Sequence, residues 1–370
     1  MHPRIGNAAL TCLSALVTAG TASAFALYPA NGFLGYDYNK WGDPAIGTSA
    51  LIYWSLMPVG TGGSAYCGAA CPGTSTLTLP SFYDWNTNTF SSVQLSDPVM
   101  IGYLQNALNT WARSANVTFR YLPVDAGVPI DDPAAEPPAT GHIRIGVFNS
   151  GFNGPAAVGF APPPNGFIPN SSQLATGAGD VIFGAAYSYQ NPTGADGEPL
   201  QAFPQGGGPF LNDFQGLALH EIGHALGIDH SAVADAVMCG FPNTCTYNDV
   251  QTYQINRQLN PDDVAGIRTL YGVAPDTDGD GVVDSLDNCK LLTNANQRDT
   301  NGDGYGNACD PDFNGNGIVD SQDGALLKAR FGSSVHPDQD LNGNGIVDSQ
   351  DGARLKAKFG QPPGPSGLVP

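Results

Sequence analysis

The stretch HEIGHALGIDH, from His220 to His230, holds three of the chain's six histidines and one of its three glutamates. In an α-helix, residues four apart lie one turn apart on the same face, so His220 and His224 can both reach one metal ion. Glu221 projects about 100° around the helix axis from His220, which places it beside such an ion rather than on it. Gly227 can end the helix with a positive φ and bring His230 back as a third ligand.

Three imidazole ligands are typical of zinc, and they leave its fourth position open for water, as in catalytic rather than structural sites. Zinc lowers the pKa of such a water to about 7, and Glu221 is placed to accept its proton. With this composition, the same spacing of His, Glu and Gly arises by chance in 370 residues with a probability of roughly 10⁻⁶. The motif therefore predicts hydrolysis at a carbonyl group, with three histidine ligands and Glu221 as general base.

The elements that must position this motif are predicted from periodicity and end signals. A first helix is predicted from Asp97 as N-cap and Pro98 in its first turn, followed by apolar residues at helical spacing. The zinc motif itself lies in a second helix, DFQGLALHEIGHALG, and a third, NPDDVAGIRTLYG, ends at Gly272. Strands are predicted at TSALIYWSL, HIRIGVF and GDVIFGAAY. Strands followed by helices indicate an α/β or α+β domain with three main helices.

Charge and the N-terminal sequence restrict the location and partners of the chain. A net charge of −19 argues against binding nucleic acid or an anionic membrane surface. Arg4, the apolar run after it and small residues at Ala24 and Ala26 predict a signal peptide over residues 1–26, the alternative being a buried N-terminal helix. Since no other segment could span a bilayer, we expect a secreted chain that does not insert into the membrane.

Removing the signal peptide leaves six cysteines, and an even number in an exported chain suggests disulfides. The short spacings favour the pairs Cys67–Cys71, Cys239–Cys245 and Cys289–Cys309, although spacing alone leaves the connectivity open.

Aspartate is concentrated beyond residue 275, where 15 of the 30 Asp and no Glu lie between Asp276 and Asp351. Four twelve-residue segments there have oxygen-bearing side chains at positions 1, 3, 5, 9 and 12 and glycine at position 6. This is the spacing of an EF-hand loop, in which glycine allows a sharp turn and position 7 offers its carbonyl. The alternative is an acidic disordered tail. The predicted calcium ligands are Asp276, Asp278, Asp280, Asp284, Asp287, Asp299, Asn301, Asp303, Asn307, Asp310, Asp312, Asn314, Asn316, Asp320, Asp323, Asp340, Asn342, Asn344, Asp348 and Asp351.

The zinc motif resembles the signature of the metzincin metallopeptidases, which continues into a Met-turn. Ser231 after the third histidine and Met238 beyond it resemble the matrixin branch of that family. The first and third predicted helices are also similar to matrixin helices, so the resemblance covers about Tyr36–Gly272. It implies a metzincin-like catalytic domain with a twisted sheet, peptidase activity, and Met238 as a hydrophobic floor beneath the zinc.

The sequence departs from the animal matrixins that carry a second, structural zinc. The corresponding stretches here, FNGPAAVGFAPPP and GDVIFGAAY, contain no histidine. Outside the motif, His142 is predicted at the start of a strand as a partly exposed edge residue, and His336 lies among the Asp-rich segments. We therefore expect one catalytic zinc and several structural calcium ions in each chain.

The first two Asp-rich segments resemble thrombospondin type 3 repeats. The last two resemble a dockerin, a duplicated module in which each calcium loop leads into a short helix. Dockerins bind cohesin domains, and Ser321, Gln322, Ser349 and Gln350 fall where that family contacts its partner. The resemblance implies a cohesin-like partner, and the alternative is a calcium-stiffened spacer.

The predicted organisation is a signal peptide, a matrixin-like peptidase domain at 27–274, thrombospondin type 3-like repeats at 275–311, a dockerin-like module at 312–360 and a Pro/Gly-rich tail at 361–370. The predicted function is that of a secreted zinc metalloendopeptidase acting on extracellular proteins or peptides, tethered or spaced by the C-terminal region, free or at a cell surface. One alternative is a calcium-dependent adhesion or scaffold protein with an incidental or inactive peptidase domain, against which the intact zinc ligands and Glu221 argue. Another is a zinc hydrolase acting on a non-peptide amide.

Overall fold

A computed structural model of the chain describes residues 25–28, 38–63, 71–130, 132, 135, 137–149, 156–163, 178–198, 200, 211–240 and 255–369. Except for its last two residues, the predicted signal peptide lies outside the described residues, as do Cys67 and Cys245. Within the described part of the chain, no helix has both the length and the apolar character needed to cross a membrane.

The described residues form strands and helices with the following bounds. The strands are β1 (Ala26–Leu27), β2 (Ala50–Leu56), β3 (Thr78–Asp84), β4 (Thr89–Gln94), β5 (Val117–Leu122), β6 (Ile143–Phe148), β7 (Ala157–Gly159), β8 (Val181–Gly184), β9 (Tyr189–Gln190), β10 (Asn212–Asp213) and β11 (Ile228–Asp229). The helices are α1 (Pro98–Ala112), α2 (Phe214–Ala225), α3 (Pro261–Tyr271), α4 (Ser321–Ala329) and α5 (Ser349–Lys358).

A five-stranded sheet in the order β5-β2-β6-β8-β7 forms the centre of the catalytic region. The first four strands in that order run parallel, and β7 runs antiparallel at the edge beside β8. The three strands predicted from sequence are β2, β6 and β8, the three inner strands. Strands β6 and β8 are buried along their whole length, as expected of parallel strands covered on both faces.

The three predicted helices of this region are confirmed as α1, α2 and α3, and the mixed α/β class is confirmed with them. The carboxylate of Asp97 accepts a hydrogen bond from the Val99 N–H at 2.9 Å, which caps the first turn of α1. The indole N–H of the fully buried Trp111 donates to the Leu219 carbonyl at 3.0 Å. This bond joins α1 directly to α2, the helix that carries the zinc motif.

A second sheet, in the order β10-β9-β3-β4, was not expected, so the prediction of one twisted sheet is incomplete. Strand β4 is mostly exposed and polar, β9 and β10 have two residues each, and Pro80 lies within β3. None of these segments has the apolar alternation by which a strand is recognised. Strand β10 leads straight into α2, so this sheet fixes where the zinc-motif helix begins.

In the C-terminal region the third and fourth Asp-rich loops each lead into a helix, as predicted, whereas no helix follows either of the first two loops within residues 276–311. Helices α4 and α5 begin with equivalent capping boxes, in which Asp320 and Asp348 accept bonds from backbone N–H groups of the first turn. A separate small core joins the two repeats, formed by Val319, Leu327, Leu341, Val347 and Leu355. The duplicated sequence therefore folds as one paired unit.

The residues that follow α3 pack on the catalytic region and on one another. Leu286 lies against the main hydrophobic core, and the Arg120 guanidinium donates to the Val369 carbonyl at 3.4 Å. The stretch predicted as a tail runs back across the first two Asp-rich loops, where the Gly367 N–H donates to the Asp287 carbonyl at 2.6 Å and Pro365 accepts from the Lys290 N–H at 3.0 Å.

The predicted disulfide Cys289–Cys309 is present. Cys71 and Cys239 are also disulfide-bonded. Their predicted partners, Cys67 and Cys245, lie outside the described residues, so those two pairings stay predictions.

Candidate metal centre

Helix α2 carries the first two histidines and the glutamate of the motif, and it ends where the sequence predicts. Its last turn closes at Leu226, and Gly227 follows with a φ of 102°. A Cβ on Gly227 would lie 2.2 Å from the Asn39 carbonyl oxygen, so this turn needs glycine for space as well as for conformation. The chain then reverses into β11 and reaches His230, as expected.

The three histidines come together in one cluster. One potential ligand atom from each of His220, His224 and His230 lies within 4.8 Å of the others, and the Nε2 atoms of His224 and His230 are 3.2 Å apart. His220 and His224 are buried and His230 is half-buried. Among the described residues, His230 is thus the member of the cluster nearest to solvent.

Hydrogen bonds orient the two helical imidazoles. Nδ1 of His220 lies 2.6 Å from the Val237 carbonyl, and Nδ1 of His224 lies 2.8 Å from the Ile228 carbonyl. Because a carbonyl oxygen can only accept, each Nδ1 must carry the proton. The lone pair of each ring is then on Nε2, the atom directed into the cluster, which is how carbonyl partners orient metal-binding histidines.

Electrostatics keep these two rings neutral. Burial lowers the pKa of His220, and burial together with the neighbouring His220 lowers the pKa of His224 well below its usual value. Neutral imidazole is the form that binds zinc. A cluster of three nitrogen donors with fixed tautomers therefore fits a catalytic zinc ion.

Glu221 lies beside the histidines without belonging to their ligand cluster. Its side chain is 6% exposed, and burial raises its pKa to about 7, opposed by a hydrogen bond from the Gly159 N–H and by His230. Gly159 ends the edge strand β7, which lies so close to α2 that a Cβ there would be 2.1 Å from the Glu221 carbonyl oxygen. The carboxylate is thus buried and held in place by a hydrogen bond. Its pKa lies close to neutral pH, as a general base requires.

The turn that contains Met238 packs against helix α2 next to the histidine cluster. Met238 is fully buried, and its sulfur would lie 2.2 Å from a Cβ added at Gly223, the residue before His224. Its N–H and that of Val237 donate to the carboxylate of Asp263, at 3.0 and 2.8 Å. The position of Met238 fits the predicted hydrophobic floor. Sequence reasoning missed Asp263, whose only signal was an acidic pair at the start of α3.

A second contact that sequence reasoning missed comes from the N-terminal segment. The Tyr28 hydroxyl lies 3.3 Å from His224 Nδ1, and the two rings meet edge-on with centroids 5.7 Å apart. No sequence signal pointed to Tyr28, because it lies almost 200 residues from its partner.

His142 lies outside this centre. Its Nδ1 accepts a hydrogen bond from the Tyr53 N–H at 3.0 Å, and its ring packs against Trp41 with centroids 5.1 Å apart. Burial lowers its pKa to about 4. His142 is half-buried at the start of a strand, as predicted, but that strand, β6, is an inner strand, so the prediction of an edge residue is wrong.

The first Asp-rich loop is folded as a cation-binding loop would be. The carboxylates of Asp276, Asp278 and Asp280 lie within 4.8 Å of one another. Gly279 and Gly281, with φ of 74° and 92°, donate their N–H groups to Asp276 at 2.9 and 3.0 Å. Positive φ at these two positions gives the sharp turn that the spacing predicted.

The other three loops repeat this geometry. In each, the two equivalent glycines have positive φ, and the N–H of the second donates to the first aspartate, at distances of 3.0, 2.7 and 2.9 Å for Asp299, Asp312 and Asp340. Burial, and secondly the charge of Asp303, raise the pKa of Asp310 to about 7. Crowded carboxylates with oxygen donors around them fit calcium.

The four residues predicted to contact a partner, Ser321, Gln322, Ser349 and Gln350, are all exposed in the first turns of α4 and α5. The two Ser–Gln pairs occupy equivalent positions in the paired unit.

Comparison with known proteins agrees with this geometry. Residues 165–272 match the family described as Matrixin, and residues 275–297 and 298–325 match the thrombospondin type 3 repeat. The second of these matches extends beyond the predicted boundary at residue 311 into the third Asp-rich loop.

Similar individual proteins are metalloproteinases. Matrix metalloproteinase-2 of Drosophila melanogaster is 32% identical over 176 residues, 48% of this chain and 19% of that protein. Metalloendoproteinase 2-MMP of Arabidopsis thaliana is 37% identical over 90 residues, 24% of this chain and 20% of that protein. The chain thus spans about a fifth of the length of these relatives. The part of the chain that contains the three histidines is therefore similar to matrixins and to these metalloproteinases, and the part after it is similar to thrombospondin type 3 repeats.

Proposed function

We propose that the chain is a secreted zinc metalloendopeptidase that hydrolyses peptide bonds of extracellular proteins, with Glu221 as general base. One observation carries the proposal: three histidines with fixed tautomers converge beside a buried glutamate, inside the region that matches the matrixin family. His230 is the least buried of the three histidines.

The residues divide the chemistry between them. His220, His224 and His230 would hold the zinc ion, which when bound supplies Lewis acidity to a peptide carbonyl and to water. Glu221 takes the proton of the attacking water and later delivers it to the leaving amine nitrogen. A pKa near 7 suits both halves of that transfer, because the carboxyl can accept and release a proton near neutral pH.

Two features favour hydrolysis over a purely structural zinc site. A structural zinc is closed by four protein ligands, whereas the described ligand cluster contains three histidines. The anchoring of Val237 and Met238 by Asp263 also holds the floor of the site rigidly to α3. A rigid support of this kind keeps ligands in a productive geometry.

The C-terminal region is proposed to bind calcium at the four Asp-rich loops. In support, each loop has glycines with positive φ, and one of these glycines donates its N–H to the first aspartate of the loop. Calcium would offset the repulsion between the clustered carboxylates, and its binding energy would then stabilise this part of the chain.

The four tryptophans, Trp41, Trp54, Trp85 and Trp111, all precede residue 112 and so report on the catalytic region alone. When calcium is removed with a chelator while the free zinc concentration is held constant, the residues beyond Pro275 are expected to become sensitive to an added protease. Tryptophan emission and peptidase activity should change little. Simultaneous loss of tryptophan emission and of the C-terminal fold would show that the two regions are not separate in stability.

The dockerin-like pattern leads to a further proposal, that the paired Ser–Gln positions contact a cohesin-like partner and thereby hold the enzyme on a scaffold or a cell surface. Their exposure and equivalent placement support it. If these residues contact a partner, replacing all four should release the enzyme from the scaffold or surface. If the region is only a spacer, the location of the enzyme would not change when the four residues are replaced, which are Ser321, Gln322, Ser349 and Gln350.

Hydrolysis of casein with and without a zinc chelator separates the peptidase from the two other functions. A peptidase cleaves casein and stops when zinc is withdrawn. A calcium-dependent adhesion or scaffold protein cleaves nothing under either condition. A hydrolase of non-peptide amides acts on a small amide substrate and leaves casein intact, and either of the last two results would overturn the proposal.

A further inference from the structure

The N-terminal segment 25–28 lies along the loop that connects the second and third histidines. Strand β1 pairs antiparallel with β11, with Ala26 opposite Asp229 and Leu27 opposite Ile228. The Tyr28 N–H then donates to the Gly227 carbonyl at 3.0 Å. Three successive residues of this segment are therefore in register with the turn that returns His230 to the cluster.

Tyr28 is held from both sides of its own backbone. Besides the bond to Gly227, its carbonyl accepts from the Asn39 N–H at 3.0 Å. Further along the chain, the Trp41 indole N–H donates to the Ala225 carbonyl at 2.8 Å. The backbone of Tyr28 is thus tied to the turn that follows α2.

The hydroxyl of Tyr28 reaches the same imidazole atom as the Ile228 carbonyl. The hydroxyl is 3.3 Å and the carbonyl 2.8 Å from His224 Nδ1. Since the proton is on Nδ1, this N–H donates to both oxygens in a three-centre hydrogen bond. The contact to the Tyr28 hydroxyl oxygen is the longer of the two. The tyrosine ring also meets the imidazole edge-on, at 61°. Together these contacts restrict rotation of the His224 ring.

We propose that Tyr28 is a positioning residue of the zinc centre, which holds the His224 ring so that Nε2 faces the metal, and that the N-terminal segment is part of the site. The inference rests on the proposed zinc function. Outer contacts of this kind alter zinc affinity because they fix the orientation and raise the basicity of the ligand.

The small residues Ala24 and Ala26 at the end of the predicted signal peptide offer two cleavage positions, and the two products would keep different parts of β1. Cleavage after Ala24 keeps Phe25, Ala26 and Leu27, so the whole of β1 can pair with β11. Phe25 then also keeps its place against α3, where its ring lies 3.4 Å from a Cβ added at Gly266. Cleavage after Ala26 removes the pair between Ala26 and Asp229 and leaves Tyr28 tethered more loosely.

The test is a Tyr28→Phe variant, which keeps the ring and removes only the hydroxyl. In competition against a chromogenic zinc chelator, the zinc dissociation constant of this variant is expected to be about tenfold larger than that of the parent. The matched control is Tyr38→Phe, ten residues further along the chain, where the ring packs on the main core. That variant should bind zinc as the parent does.

A second readout separates positioning from general stability. Thermal unfolding of the zinc-free proteins should give the same midpoint for Tyr28→Phe and the parent, so that the difference appears only when zinc is present. If Tyr28→Phe bound zinc as tightly as the parent, whatever its midpoint without zinc, the role of Tyr28 would be overturned and the proposed function would stand. A parent protein that binds no zinc would overturn the proposed function first.

Discussion

Replacing Glu221 with Gln is expected to lower the rate of casein hydrolysis by about 10²-fold or more while zinc stays bound. Glutamine has nearly the same shape, so it can still accept the hydrogen bond from the Gly159 N–H in the buried position beside α2. An amide cannot accept a proton from water at neutral pH, so only the proton transfer is lost. The rate and the zinc content of the same preparation should be measured together.

The matched control is Glu198→Gln, which makes the same chemical change outside α2. Glu198 lies in a loop, where its backbone pairs with Ile255 and its side chain is not among the residues of the zinc cluster. This variant should hydrolyse casein at the parental rate. A Glu221→Gln protein that retained both zinc and the parental rate would exclude Glu221 as the base.

Replacing Gly223 with Ala is expected to destabilise the catalytic region by about 1–3 kcal/mol and to weaken zinc binding. The added Cβ would lie 2.2 Å from the sulfur of Met238 and 2.8 Å from the ring of Trp111. Both side chains are fully buried, and the Trp111 indole is bonded to Leu219, so neither has free space to move into. Displacing Met238 would disturb the floor of the site one residue away from His224.

The control for this prediction is Gly102→Ala on α1, because nothing lies within 4 Å of a Cβ at that position. Alanine is favoured over glycine within a helix by about 0.8–1.0 kcal/mol, so this variant should be more stable than the parent. The midpoints of thermal unfolding of the two variants should therefore move in opposite directions from the parent, and the zinc content should fall only in Gly223→Ala. A Gly223→Ala protein as stable as Gly102→Ala, with full zinc content, would contradict the packing of Met238 against α2.

The parts of the site that could be predicted from sequence are those whose geometry is local. His220, Glu221 and His224 are related by helical spacing alone, and the φ of 102° at Gly227 follows from the need to end the helix and reverse the chain. The same holds for the Asp-rich loops, where aspartate and glycine at fixed positions determine the turn. The inner strands β2, β6 and β8 could be recognised because they are rich in β-branched and aromatic residues.

The parts that could not be predicted depend on contacts between distant residues. Asp263 supports the Met238 turn from α3, and its carboxylate gives no sign in the sequence that it points inward to two backbone N–H groups. Tyr28 reaches His224 only because β1 pairs with a two-residue strand, which has no periodicity to detect. The second sheet was missed for the same reason, since its strands are short or exposed.

The most direct measurement of the central claim is a zinc titration of the metal-free protein, followed by casein hydrolysis and by elemental analysis. With one site built from His220, His224 and His230, the rate should rise in proportion to added zinc and level off at one zinc per chain, in excess calcium. Hydrolysis that persists without zinc, or that continues to rise until two zinc ions are bound to each chain, would contradict the account.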